Sequence, residues 1–347
     1  MITIQGGLFM GKNHKSWTRR MLPILVLVGL SVWCTISWPH PAAAAAKNYK
    51  ITILGGSAGG VWSVLTEGVA ESIRRGIPGA QITTEPGKDG PNQVMVHKGE
   101  VQLAVTYDAT NFSAVQGIAP YKEKHPKLRS VAVINPTGAF QLFIDEKTGI
   151  KSFKDIKEKK YPLRIGANRR GTLMQISGQK VMEAYGITYG DIEKWGGKIH
   201  YVPANQALDL WDAGQLDCTQ EVAQFPSSTF LEHATKHKMV LLPIDEDKLG
   251  GLEKELGMKP FTIPANTYPF QKEPLRTINT NLILLSSADQ PAEMIYDVVK
   301  AICRNMDYLH KVHANLKDLT PQIMANGVAV DLHPGAAKYY REAGALK

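Results

Sequence analysis

The chain has 347 residues, with 40 Lys or Arg against 32 Asp or Glu, 44% hydrophobic and 21% charged. That balance excludes a disordered tail, a collagen-like repeat and a multi-span membrane protein, and the length suffices for about two domains. The net charge of +8 is uneven: residues 1–46 hold Lys12, Lys15, Arg19 and Arg20 and no acid, so the remainder carries only +4, too little to indicate nucleic acid.

In chain order, the basic start ends in Arg19-Arg20, an uncharged segment runs from Leu22 to Trp38, and Pro39-His40-Pro41 precedes the run Ala42 to Ala46. A positive stretch, an apolar stretch and small residues at a cutting site define an export signal. Residues 1–46 are therefore expected to be a cleaved signal peptide and the body to be periplasmic; the rival is an uncleaved anchor, and Sec or twin-arginine export both stay open. Cys34 falls inside the apolar run and lacks a lipoprotein context. Of the body's cysteines, Cys218 and Cys303 are expected to be free thiols rather than a disulfide framework.

The body alternates strands and helices. Strands are expected at 50–54, 81–85, 101–106, 128–134 and 140–144, with helices at 61–75 and 91–98. Val61, Leu65, Val69 and Ile73, four apart, give the first helix its apolar face. The rhythm restarts with strands at 163–166, 199–202, 216–221 and 239–242 and helices at 172–185 and 205–213. A proline-rich stretch (260–274), a strand at 277–285 and a helix at 291–310 complete it. The pattern indicates an α/β fold with a largely parallel sheet. Two α/β units are expected, the first resumed by the C-terminal segment.

Gly55 to Gly60 join a strand to a helix. Such a turn either lets the backbone and a helix N-terminus cradle an anion or is a plain tight turn, and both readings stand. A dinucleotide reading of these glycines is set aside, since exported proteins rarely meet NAD. Asn168-Arg169-Arg170-Gly171-Thr172 repeats the arrangement, with Thr172 as the helix cap. Two arginines before a helix N-terminus oppose its dipole unless an anion is near, and guanidinium matches carboxylate or phosphate. Tyr107 and Asp108 at one strand end, and Glu221 at another, either contact ligand or cap the next helix. Trp62, Tyr49 and Trp211 line a pocket or belong to the core. There is no H-E-x-x-H and no Gly-Lys-Ser/Thr loop. His310 and His313 are read as solvated, so no metal, no cofactor and no catalytic residue is expected.

The chain resembles the TAXI-type substrate-binding proteins of TRAP transporters along almost its whole body. Ile51 to Trp62 resembles the family's opening strand and glycine turn. Gly87 to Asn92 and Val101 to Asp108 resemble its next helix start and strand, and Ile150 to Asp155 a further family segment. His333-Pro-Gly-Ala-Ala-Lys-Tyr-Tyr-Arg-Glu342 matches its C-terminal signature, read as helix packing rather than as a ligand site.

The resemblance implies a periplasmic binding protein type II-like fold, two α/β lobes with a ligand cleft between them. The expected division is 47–136 plus 277–347 for lobe I and 137–276 for lobe II. It implies an extracytoplasmic receptor that delivers a small organic anion, an acidic amino acid or a dicarboxylate, to TRAP-type permease subunits, and it is expected to act as a monomer. The implied contacts are Ser57, Trp62, Asn92, Tyr107, Asp108 and the 166–172 loop. In that loop Arg169 and Arg170 replace the family's small residues, which suggests extra negative charge on the ligand. The rival functions are a periplasmic sensory component and an exported α/β enzyme with Asp108 or Glu221 as base.

Overall fold

In the computed structural model, residues 47–56, 58, 60–327 and 329–347 are described. The expected signal segment 1–46, Cys34 within it and the candidate Ser57 lie outside the described residues. Among the described residues, ten strands form one mixed sheet. Its first three, β1 (Lys50–Leu54), β2 (Gln81–Glu85) and β3 (Leu103–Tyr107), run parallel in the order β2-β1-β3. Between and after them stand α1 (Val61–Gly76), α2 (Pro91–Lys98) and α3 (Asp108–Gln116). On α1, Leu65, Val69 and Ile73 are buried as their spacing predicts, whereas Val61 is exposed, because it faces a cavity rather than the core.

The next strand, β4 (Leu128–Asp145), replaces the two strands expected at 128–134 and 140–144. The sequence Asn135-Pro136-Thr137-Gly138 reads as a break, yet the chain stays extended. Pro136 sits where the pairing with the last strand is bulged, between the Asn135–Leu282 and Gly138–Thr280 partners, so its missing N–H breaks no ladder bond.

The second group begins with α4 (Phe153–Glu158), whose start is a reciprocal cap between Ser152 and Asp155. There follow β5 (Arg164–Gly166), α5 (Leu173–Ala184), α6 (Tyr189–Lys194), β6 (Lys198–His200), α7 (Ala204–Asp212), β7 (Cys218–Ala223), α8 (Ser228–His233), β8 (Met239–Leu241) and α9 (Glu246–Leu256). The proline-rich stretch contains a strand after all, β9 (Lys259–Ile263). It forms on one side of β10 (Leu275–Ser287), where Pro260 need not donate to the ladder as an inner-strand residue must. After β10, the helix expected over 291–310 is divided at Asn305, with α10 spanning Ala292–Arg304.

The sheet order is β2-β1-β3-β10-β4-β7-β5-β6, with β8 on β4 and β9 on β10. The sheet is mixed rather than largely parallel: β10 runs antiparallel to β3 and β4, and β4 antiparallel to β7 and β8. The long strands β4 and β10 thus belong to both halves. One continuous apolar cluster carries Ile53 and Leu65 of the first half together with Ile165 and Val181 of the second. The C-terminal helix Pro334–Glu342 packs on α10, with Gly335 against the Ala292 carbonyl, and His333 accepts from the Gly335 N–H. Cys218 is buried on β7 and Cys303 half-buried on α10, both free thiols.

Candidate functional site

Parallel strands feeding helices put helix N-termini at one edge of a sheet, and here four of them meet. A cavity of about 540 Å³ opens beyond the ends of β1, β3 and β5. Its wall includes Val61 and Trp62 from the first turn of α1, Gly90 before α2, Tyr107 and Thr110 at the start of α3, and Thr172 to Met174 at the start of α5. Helix geometry leaves first-turn N–H groups, here of Trp62 in α1 and of Leu173 and Met174 in α5, without an intrahelical acceptor, which suits them to an anion.

The 166–172 loop is shaped by its own side chains. Asn168 takes φ +69, its Oδ1 accepts from the Arg169 N–H at 2.7 Å, and its Nδ2 points to Glu221 Oε1 at 3.4 Å. Gly171 has φ +78, a left-handed conformation natural to glycine, and its N–H donates to Gln175 Oε1 at 3.0 Å. Thr172 caps α5, accepting from the Gln175 N–H while its hydroxyl donates to the Arg169 carbonyl. The Arg170 guanidinium lies 3.5 Å from the ring centre of Tyr201. Stacking fixes its plane and leaves its edge N–H groups for a ligand.

Arg169, Arg170 and Lys88 all line the cavity, and among the described residues none of them is in an ion pair. The one carboxylate among the described residues of the wall, Asp89, is taken up internally. Its Oδ1 accepts from Gln93 Nε2 at 2.8 Å, from the Thr110 hydroxyl at 2.8 Å and from the Tyr107 N–H at 3.2 Å. Burial pushes its carboxyl above the ordinary range against those bonds. The cavity therefore presents cations and N–H donors with little opposing negative charge.

Sequence reasoning brought Trp62, Tyr107, Asn168, Arg169, Arg170, Gly171 and Thr172 to one cavity. Trp62 and Tyr107 meet edge to face at 4.8 Å, and the Tyr107 hydroxyl donates to the Val222 carbonyl on β7, tying the two halves together. Three other candidates stand behind the wall. Asn92 is buried: its amide donates to the Gly55 and Val105 carbonyls and accepts from the Lys88 N–H, so it holds the glycine turn, β3 and the start of α2 together. Asp108 is buried in the first turn of α3 and accepts from the Ala329 N–H. Glu221 is 7% exposed behind Asn168, and burial raises its carboxyl to about 8.

Tyr49 donates to Asp297 and Trp211 is core, both away from the cavity. His310 bonds the Leu319 carbonyl, and His313 accepts from the Asn315 N–H.

Asp89, Lys88, Tyr201 and Thr110 were not singled out from sequence, although Asp89-Gly90-Pro91 is a turn followed by a helix start and so carried a signal. Sequence reasoning also passed over a G-x-S-x-G: Gly55-Gly56-Ser57-Ala58-Gly59 has the spacing that hydrolases place between strand and helix. No histidine among the described residues lines this cavity to serve as its base.

Two α/β halves sharing long strands, with a cavity at the strand ends, define the fold of periplasmic solute-binding proteins. Solved structures share it. MatC from Rhodopseudomonas palustris with bound malate is 14% identical, covering 85% of this chain and 97% of that one, at a TM-score of 0.50. The periplasmic binding protein BugD is 12% identical, covering 86% and 95%, also at 0.50. A TctC solute binding protein from Polaromonas is 16% identical over 86% and 99%, at 0.47. The chain belongs to the NMT1-like family, whose model matches residues 53–344. BugD is a periplasmic binding protein by name. No helix among the described residues is long and apolar enough to cross a membrane.

Proposed function

We propose that the protein is the extracytoplasmic receptor of a TRAP-type transporter, of the TAXI type, which captures a small organic anion and hands it to membrane permease subunits. The observation that carries this reading is the cavity of about 540 Å³ lined by four helix starts and by Lys88, Arg169 and Arg170, none of them in an ion pair among the described residues. Such a volume suits a small ligand, and its donors converge where carboxylates would sit. Residues 1–46 direct export. Lobe I comprises 47–136 and 277–347 and lobe II 137–276, and the lobes close on the ligand. Arg169 and the edge of Arg170 bind its acid groups, Trp62 and Tyr107 pack on its carbon skeleton, and Asn168, Gly171 and Thr172 hold the loop. That MatC was solved with malate fits a carboxylate ligand.

The test is thermal melting of the protein after unfolding and refolding to strip carried-over ligand. The panel holds acidic amino acids, di- and tricarboxylates, keto acids and neutral amino acids. A ligand at about 100 times its dissociation constant adds about 2.7 kcal/mol. Acids are expected to raise the melting temperature, and Arg169→Ala to remove most of that rise. An unchanged rise in Arg169→Ala would move the anion site elsewhere. No rise with any acid would end the anion reading.

A further inference from the structure

On the second half of the molecule, none of them lining the ligand cavity, three donors from separate turns converge. Asp212 is the last residue of α7, His233 the last of α8, and His237 lies one turn on, its N–H bonded to the His233 carbonyl at 3.1 Å. Residues four apart on a helical turn share a face. The imidazoles accordingly stack at 4.4 Å, and Asp212 Oδ1 lies 3.4 Å from His233 Nδ1 and 2.8 Å from His237 Nε2. We propose that Asp212, His233 and His237 bind a divalent transition-metal ion, of which Zn²⁺ fits the donor set best.

The chemistry of the set supports this. Two imidazoles and one carboxylate are borderline donors that suit zinc, and metal–ligand bonds of about 2 Å in a tetrahedron put ligand atoms about 3.4 Å apart. His233 to Asp212 already has that spacing. All three ligand atoms lie within 4.8 Å of one another, and Asp212, 40% exposed, is free to turn. The His233 ring is held by an edge contact with Trp211 at 5.0 Å, and its Nε2 finds no hydrogen-bond partner among the described residues. A cavity of about 270 Å³, lined by Asp212, His237 and Trp211, leaves room for water as a fourth ligand. Arg164 on that cavity is paired with Asp217, and Lys236, 3.6 Å from Asp212 Oδ2, is well exposed and can swing away. The ion would staple the end of α7 to the turn after α8, a structural role independent of the ligand cavity. The plain alternative is a carboxylate shared by two imidazoles and a lysine.

The test uses the chain prepared without a histidine tag, stripped with EDTA and titrated with ZnCl₂ by calorimetry, with Co²⁺ absorption as a second readout. Zinc is expected to bind at one equivalent, and Co²⁺ to give the intense visible bands of a four-coordinate site. His233→Ala empties a buried position and risks the fold, so half-buried His237→Ala carries the comparison. It should weaken zinc at least about tenfold, with Asp212→Asn following it. Absence of one-equivalent binding, or equal binding by His237→Ala, would overturn the site.

Discussion

Glu221 shows how one buried group governs the cavity it does not line. Its carboxyl stands at about 8 rather than 4.5, through desolvation on β7, while Asn168 opposes the shift. Because the folded pKa is raised, its stabilising contribution is full below about 4.5 and is lost as pH rises through about 8. At about 1.4 kcal/mol per unit, the loss reaches a few kcal/mol. Glu221→Gln, which keeps an acceptor for Asn168, should match the wild type in urea denaturation at pH 4.5. It should exceed the wild type by pH 8.5, and equal stabilities there would mean that the group titrates normally. The same ionisation adds negative charge beside the Arg169–Arg170 loop, so anion affinity should fall above about pH 8 in the wild type only. That loop was legible in the sequence because two arginines before a capping threonine conflict locally with the helix dipole. Asn92 and Asp108 were equally visible as residue types. What the sequence did not contain was their burial, which turned their polar atoms toward backbone rather than toward the cavity.

Among the elements, α5 carries the loop's cap and rests on β7 through an interlocked pair. Gln220 Nε2 reaches the Ala167 carbonyl at 3.2 Å, the Met174 carbonyl at 3.0 Å and the Tyr189 hydroxyl at 3.2 Å, which leaves its amide against Gly178 in mid-helix. A Cβ at Gly178 would fall inside that amide. Alanine normally favours a helix by about 1 kcal/mol over glycine, but here it displaces a buried hydrogen-bonded group, so Gly178→Ala should destabilise by about 2 kcal/mol. Gly250→Ala in α9 is the control: nothing lies within 4 Å of its Cβ position, and it should stabilise by about 0.5–1 kcal/mol. Chemical denaturation midpoints check both, and a stabilising Gly178→Ala would show that Gln220 yields freely. Periodicity found most strands and the helices α1, α2, α5 and α7 to within a few residues, because alternation and four-residue spacing are local properties, but it gave no helix at α9 and ran α10 past Asn305. It divided β4 at Pro136 and missed β9 because both depend on which partner lies alongside, a tertiary fact.

Across the whole molecule, the two halves are joined by β4 and β10, and the join is irregular beside the start of α3. The register shifts between Thr280 and Leu282, opposite Pro136 and Thr137, and again between Leu282 and Ile283, opposite Ile134. Asn279 spans the irregularity: its Oδ1 accepts from the Gly138 N–H and its Nδ2 donates to the Pro136 carbonyl, each at 2.9 Å. Thr280 links the same point to α3, accepting from the Ala109 N–H at 3.0 Å. A bulged pair has fewer ladder bonds to resist bending, so the halves should move about this segment when an anion bridges the turns at 56–62 and 168–174. Solution X-ray scattering should then show a smaller radius of gyration at saturating anion than without it. Asn279→Ala removes the clamp without touching the cavity and frees open arrangements that bind weakly. Its anion affinity should fall several-fold while Arg169 and Arg170 stay in place, since a less populated competent state lowers apparent affinity in proportion. An unchanged radius on binding, together with wild-type affinity in Asn279→Ala, would make β4 and β10 a rigid frame and place any closing motion in the 168–174 loop alone.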